Sequence, residues 1–255
     1  MTTLNVALYG ASGKMGKRIQ LEIEKQQNGP SISGLIDAET TKTERIDILQ
    51  KSDVVIDFSA AVATEAFFQL IDEEKIKNKK ILVCTTGHSG DQLSFIQRVT
   101  KENNLSTLLA PNTSVGILIL YKTAMNIASA TLGFGFDIEI TESHHRNKID
   151  HPSGTAKFLA SGIENVTGYQ TQDGHPSGQK RNEKIIGMHA IRGGGVFGEH
   201  HIDFLSEDEQ ITLTHRAFSR TLFAKGSLIL ARILSSKTPG FYNYKDLSLS
   251  DLEIE

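Results

Sequence analysis

The sequence predicts an α/β protein built on a doubly wound parallel sheet, followed by a region whose own sheet is mostly antiparallel. Three observations carry this expectation. Short apolar runs alternate with amphipathic stretches in the first part of the chain, the pattern of buried parallel strands and covering helices. A glycine-rich turn separates the first apolar run from the first amphipathic stretch. Further on, continuous apolar runs give way to strict alternation, which marks half-buried strands.

The first strand is expected over Leu4–Tyr9. It runs into Gly10-Ala11-Ser12-Gly13-Lys14-Met15-Gly16 and then an amphipathic stretch, Arg18–Gln27, with Ile19 and Ile23 on one face. Glycines between a strand and a helix permit a tight turn and close approach to a pyrophosphate, so these seven residues are the expected dinucleotide cradle. The spacing G-x-x-G-x-x-G departs from the commonest fingerprint, and a glycine turn that only packs strand against helix is the competing reading. A second strand, Ser31–Ile36, ends in Asp37, where an acidic side chain would accept from the ribose hydroxyls. That carboxylate would repel a 2′-phosphate and so favours NADH; Lys42 and Arg45 stand close enough in sequence to offset it and admit NADPH. Strands follow at Asp53–Phe58, Lys80–Cys84 and Leu105–Ala110, with helices at Thr64–Lys77 and Gln92–Glu102. In such sheets ligands sit beyond the carboxyl ends of the strands. Asp57-Phe58-Ser59, Thr85-Thr86-Gly87 and Ala110-Pro111-Asn112 all fall there.

After a helix at about Val115 to Ala130, Phe134, Phe136, Ile138 and Ile140 alternate with Gly135, Asp137, Glu139 and Thr141. This reads as an antiparallel strand with one wet face. Further strands are expected at Ile185–Ile191, Glu199–Leu205 and Gln210–Arg216, and a closing helix at Ser219–Ser235. The low-complexity stretch Tyr169–Arg181 reads as a mobile surface loop.

Chemistry is densest between Glu139 and Ala156. Read as a short polar loop, it crowds His144, His145, Arg146 and Lys148 together and then opens a helix with Pro152-Ser153-Gly154-Thr155. A helix start presents unpaired N–H groups and the positive end of the dipole, so it attracts anions. The combination reads as a seat for a small, multiply charged anion, beside groups able to hand over a proton. A surface histidine pair is the plainer alternative. Arg146 and Asp150 pair or brace this loop, and Arg192 is expected to hold a strand end.

Net charge is −3 over 255 residues, which offers no global basic field for nucleic acid. The single cysteine, Cys84, excludes an intrachain disulfide and sits in an apolar run as a packed thiol. The histidines show no metal-ligand spacing, so no metal is expected. No apolar stretch is long enough to span a bilayer, and Met1-Thr2-Thr3 leads straight into the first strand, so a cytoplasmic protein is expected.

The run Glu139–Ala156 meets in full the pattern E-[IV]-x-E-x-H-x-x-x-K-x-D-x-P-S-G-T-A. With Cys84-Thr85-Thr86-Gly87, Ala110–Gly116, Arg192-Gly193-Gly194, Gly198-Glu199-His200, His215–Arg220 and Phe223–Gly226, it resembles the 4-hydroxy-tetrahydrodipicolinate reductase (dihydrodipicolinate reductase) family, nicotinamide-dependent enzymes of the diaminopimelate route to lysine. The resemblance implies a Rossmann-like domain interrupted by an inserted α+β domain, at 1–115 with 220–255 and at 116–219. It implies a homotetramer and a dicarboxylate ring as substrate. It implies His144 as the acid/base group, Lys148 as proton donor, His145, Ser153, Gly154 and Thr155 as substrate contacts, and Phe58, Thr85, Gly87, Ala110 and Asn112 along the nicotinamide. An amino-acid dehydrogenase on the same plan and a non-catalytic dinucleotide sensor are the alternatives.

Overall fold

The structure, a computed structural model, describes residues 3–252. Met1, Thr2 and the last three residues, which close the two ends of the expected first domain, lie outside the described residues. The chain forms two compact units, one made by the residues up to Ser114 with those from Thr221 on, the other by Val115–Arg220.

Through the first unit run β1 (Asn5–Tyr9), α1 (Lys14–Glu24), β2 (Ser31–Ile36), α2 (Lys42–Lys51), β3 (Val54–Asp57), α3 (Ala61–Glu73), β4 (Lys80–Val83), α4 (Gly90–Glu102) and β5 (Ser106–Leu109). The second unit holds α5 (Val115–Thr131), β6 (Asp137–His144), α6 (Gly154–Thr167), β7 (Gln170–Asp173), β8 (Ile185–Arg192), β9 (Glu199–Leu205) and β10 (Gln210–Arg216). The chain then returns to the first unit as α7 (Thr221–Ser236) and β11 (Gly240–Asn243).

Among the described residues the first unit's sheet has the order β11-β5-β4-β3-β1-β2, and every pairing is parallel. The order reverses between β1 and β3, so the ligand crevice of a doubly wound sheet opens there. Continuous apolar runs suit this sheet because helices cover both faces. Ala7, Tyr9, Val55, Ile81 and Val83 pack with Phe67, Phe68 and Ile71 of α3 and Ile96 and Val99 of α4. The alternate residues Val6, Leu8, Ile56 and Leu82 are equally buried on the face where α7 packs against β3 and β4.

In the second unit the order is β10-β9-β6-β8-β7. The expected mostly antiparallel sheet is mixed: β6 pairs antiparallel with β9 and β9 with β10, whereas β6 pairs parallel with β8 and β8 with β7. Alternation reveals a half-buried face but carries no information on strand direction. The inner face, Ile138, Ile140, Ile186, Met188, Ile202 and Phe204, packs under α5 and α6.

Some expected elements move. The alternating strand starts at Asp137 and runs on to His144, while Phe134 lies in a turn and is exposed. Residues 139–144 of the supposed polar loop at 139–156 are therefore sheet. The expected mobile loop 169–181 contains β7, and Arg181 is clamped at 2.9 Å to Glu139 and 2.6 Å to Asp137. Besides β7, α2 and β11 were not foreseen. α2 carries little apolar periodicity, although Thr41 and Glu44 form the capping box that announces it. β11 is a short edge strand after Pro239, paired with β5.

Candidate functional site

Two sites take shape, one in each unit. In the first, Gly10 follows β1 at φ +79°, where a side chain is strained, and a Cβ there would lie 2.9 Å from the carbonyl oxygen of Phe58. Gly16 is tighter: a Cβ would stand 2.4 Å from the carbonyl oxygens of both Gly10 and Ala11. Helix α1 starts earlier than expected, so Lys14, Met15 and Gly16 form its first turn, and Gly13 caps it with no side chain over the end. That helix end is left bare, as an anion-binding turn requires.

Asp37 stands at the end of β2 and accepts from Ser12, at 3.1 Å from the backbone N–H and 2.9 Å from the hydroxyl. The basic residues beyond it are engaged elsewhere. Lys42 pairs with Glu74 at 2.7 Å. Arg45 donates to the carbonyls of Thr40 and Asp37, at 2.9 and 3.1 Å.

Phe58, Thr85, Gly87, Ala110 and Asn112 follow the carboxyl ends of β3, β4 and β5. Gly87 has φ +86° and open space around it, whereas Ala110 is fully buried. The Asn112 side chain accepts from the Ser114 N–H at 2.9 Å. Sequence reasoning placed Asp57 at a strand end but gave it no role; it has no exposure and accepts from Ser59 (N–H 2.8 Å), Thr64 (2.5 Å) and Thr85 (3.2 Å). Burial pushes its carboxyl up, against the pull of those bonds. It ties the loops after β3 and β4 together. The residues of this unit thus fit a dinucleotide: a tight turn with no room for a Cβ at Gly10 or Gly16, a bare helix start, and an acid at the end of β2.

In the second unit the inner row of β6 reads Ile138, Ile140, Glu142, His144. Its last two positions turn from apolar to ionisable, and their sheet neighbours do the same: Glu142 pairs across from His200, and His144 from Arg192. Glu142 is completely buried. It accepts from Arg192 at 2.8 and 2.6 Å, from His144 Nδ1 at 2.5 Å, and from the Ser153 N–H at 3.0 Å. Burial raises the carboxyl, but the bonds from Arg192, His144 and Ser153 outweigh it and hold it below the ordinary carboxylate range.

His144 itself is pushed down by burial, and Glu142 only partly offsets this because Lys148 and Arg192 add positive charge nearby. His200 packs edge-on against it with ring centroids 5.3 Å apart. Burial, with the neighbouring imidazoles, brings His200 to about 3, so it is uncharged at neutral pH.

Lys148 and Asp150 pair at 2.8 Å, so the partner of Asp150 is Lys148 rather than Arg146. Arg146 braces the turn through its backbone, donating to the Gly194 carbonyl at 3.2 Å. Arg192 holds the strand end, as expected. α6 begins at Gly154, with the Ser153 hydroxyl accepting from the Ala156 N–H at 3.2 Å. Gly154 is exposed with nothing near the position of a Cβ, Thr155 is half-buried, and His145 sits half-buried in the turn that Lys148 N–H closes. The structure therefore gathers His144, Lys148, Ser153 and the α6 start around one buried carboxylate. Glu142 escaped sequence reasoning, although it continues the inward parity of Ile138 and Ile140.

Known proteins match the chain along its length. The family model described as "Dihydrodipicolinate reductase, N-terminus" matches residues 4–113, and that described as "Dihydrodipicolinate reductase, C-terminus" matches residues 116–247. A 4-hydroxy-tetrahydrodipicolinate reductase of Methanopyrus kandleri is 33% identical, covering 96% of each chain. In fold, a dipicolinate-bound dihydrodipicolinate reductase from a Paenisporosarcina species superposes with a TM-score of 0.77 at 24% identity, over 96% of this chain and all of that one. A DAP dehydrogenase of C. glutamicum shares the fold at a TM-score of 0.60 and 12% identity, over all of this chain and 97% of its own.

Proposed function

This chain belongs to the dihydrodipicolinate reductase family, and from that premise we propose that it reduces 4-hydroxy-tetrahydrodipicolinate to tetrahydrodipicolinate with NAD(P)H. The observation that carries the reading is the cluster of His144, Lys148 and the α6 start around Glu142, inside a motif met at every defined position. The shared fold of a DAP dehydrogenase does not discriminate, whereas an amino-acid dehydrogenase has no need of the run from Lys148 to Thr155.

Reduced nicotinamide supplies a hydride. The chain's own part is binding and proton handling. Gly10 to Gly16 would hold the pyrophosphate, Asp37 the ribose, and Phe58, Thr85, Gly87, Ala110 and Asn112 the nicotinamide side. Gly154 and Thr155, at the positive end of α6, would take one substrate carboxylate, with Ser153 and His145 beside it. Each charge–dipole contact of this kind contributes about 0.3–2 kcal/mol, so several must act together. Negative charge grows on the ring as the hydride arrives, and the Lys148 ammonium is the proton donor for it. His144 exchanges protons through Nε2, since Nδ1 is committed to Glu142.

The carboxylate of Asp37 and the engagement of Lys42 and Arg45 elsewhere support NADH as the preferred cofactor, with NADPH still accepted. A homotetramer and a cytoplasmic enzyme belong to the same proposal, the tetramer resting on the family resemblance. Among the described residues no helix is long and apolar enough to cross a membrane.

A coupled assay tests the reading. Pyruvate and aspartate semialdehyde are condensed by the partner synthase, and NADH oxidation is followed optically. Oxidation that depends on both the synthase and this protein is the expected result; none above background sinks the proposal.

A further inference from the structure

We propose that Glu142 is the positioning residue of this site: it locks His144 in a single tautomer and ties that imidazole, the α6 start and the Lys148 turn into one rigid frame. The inference rests on the reductase reading above and names how its proton-handling groups are held.

Glu142 cannot meet a substrate, because none of it is exposed. It must act through its neighbours, and all four of its close partners are nitrogens, three of them fixed N–H donors. An ionised carboxylate only accepts. Arg192, bidentate at 2.8 and 2.6 Å, keeps it ionised. The proton in the 2.5 Å contact with His144 therefore belongs to Nδ1, and Nε2 is left as the working nitrogen. The groups facing His144 are Glu142 on its own strand, Arg192 on β8, His200 on β9 and Lys148 in the turn. Glu142 is the sole anion of that set.

Two more observations extend the frame. Gly198, at φ +148°, leaves the space beside Nε2 open; a Cβ there would stand 3.1 Å from it. Arg192 also donates to the Asp150 carbonyl at 2.8 Å, and the Asp150 carboxylate receives Lys148 Nζ at 2.8 and 2.9 Å. The N–H of Ser153, the residue capping α6, closes the set. Imidazole, ammonium and helix start are thus all hung from one carboxylate.

The test uses the whole protein labelled with ¹⁵N-histidine and saturated with NADH, with the His144 signals assigned by their loss in His144→Gln. Wild type is expected to show the Nδ1–H tautomer. In Glu142→Gln the amide can turn an N–H toward the ring, so a shift to the Nε2–H form is expected. With it should come a fall in kcat of roughly 10²-fold or more, substrate KM and NADH affinity within about threefold of wild type, and a move of the His144 limb of the pH–rate profile to lower pH. Glu142→Asp should regain part of kcat. Glu139→Gln, on the opposite face of the same strand, should leave the tautomer unchanged.

A wild-type His144 in the Nε2–H form overturns the proposal, and this reading stands even where Glu142→Gln does not fold. So does a Glu142→Gln enzyme with wild-type kcat and pH profile. If wild type fails to oxidise NADH in the coupled assay while the Glu142-dependent tautomer is seen, the reductase reading has failed and the positioning role has not.

Discussion

Replacing Gly16 with alanine is expected to weaken NADH binding by about 30-fold. A Cβ at this position would stand 2.4 Å from two carbonyl oxygens, those of Gly10 and Ala11, and 2.6 Å from the Ala11 Cα. Ordinary contacts between such atoms lie near ~3.5 Å, so either the turn or the first turn of α1 must move by about 1 Å. All three obstacles are backbone, and none can swing aside as a side chain would. Overpacking of this kind costs roughly 1–3 kcal/mol, and a backbone obstacle puts it at the upper end. Alanine recovers about 0.8–1.0 kcal/mol through its better helix propensity. The remainder, about 2 kcal/mol, falls on the cradle itself, and ~1.4 kcal/mol is a factor of ten in affinity. Gly13→Ala is the matched control: its nearest contact is 3.1 Å, to the Gly10 oxygen. It should cost less than threefold. Fluorescence titration of NADH, with a thermal melt of each variant, reads both. If Gly16→Ala binds NADH as tightly as wild type, or Gly13→Ala is the weaker binder, the cradle is wrongly placed.

Lys148→Met should lower kcat by about 10²–10⁴ while substrate KM moves little, because a positioned proton donor acts on the transition state; a raised KM with kcat unchanged would instead mark a binding residue. Wild type should prefer NADH modestly in steady-state kinetics, and Asp37→Ser should erase that preference; a strong wild-type preference for NADPH refutes the role given to Asp37. His200, at about 3 in the fold against about 6.5 when unfolded, gives a pH dependence of stability. Between those values the unfolded chain binds a proton that the folded one refuses, so stability is lost as pH falls below about 6.5. Urea unfolding at pH 7 and pH 5 should show wild type losing about 2 kcal/mol more than His200→Asn over that interval; identical losses would remove the buried neutral imidazole from the account.

How much of this was legible in the chain varies from element to element. β2, β9 and β10 were placed to the residue, because each is a run bounded by turn or polar residues. The starts of α1, α3 and α4 were read late by two to four residues, since first turns such as Lys14-Met15-Gly16 and Ala61-Val62-Ala63 carry no periodic apolar residue, whereas α5 was met at Val115 and α7 was read two residues early. α2 was missed because its apolar positions do not fall on one stripe, and β11 because four residues are too few to show a period. The glycine cradle, Asp37 and the run from His144 to Thr155 were read directly. Asp57, Glu142 and His200 were not, although Glu142 continues a parity already visible in Ile138 and Ile140.

Features set by neighbouring residues could be read without a fold: where a strand turns into a helix, where only glycine fits, where cations crowd before a helix start. Their physical causes act over a few residues. The partners of buried charges act over the whole chain. Glu142 meets Arg192, 50 positions later, only because β8 lies parallel to β6. His200 reaches His144 only because β9 pairs on the other side of the same strand. Which nitrogen of His144 is free, and whether Glu142 keeps its charge, are settled by desolvation and by groups that meet nowhere but in the folded sheet.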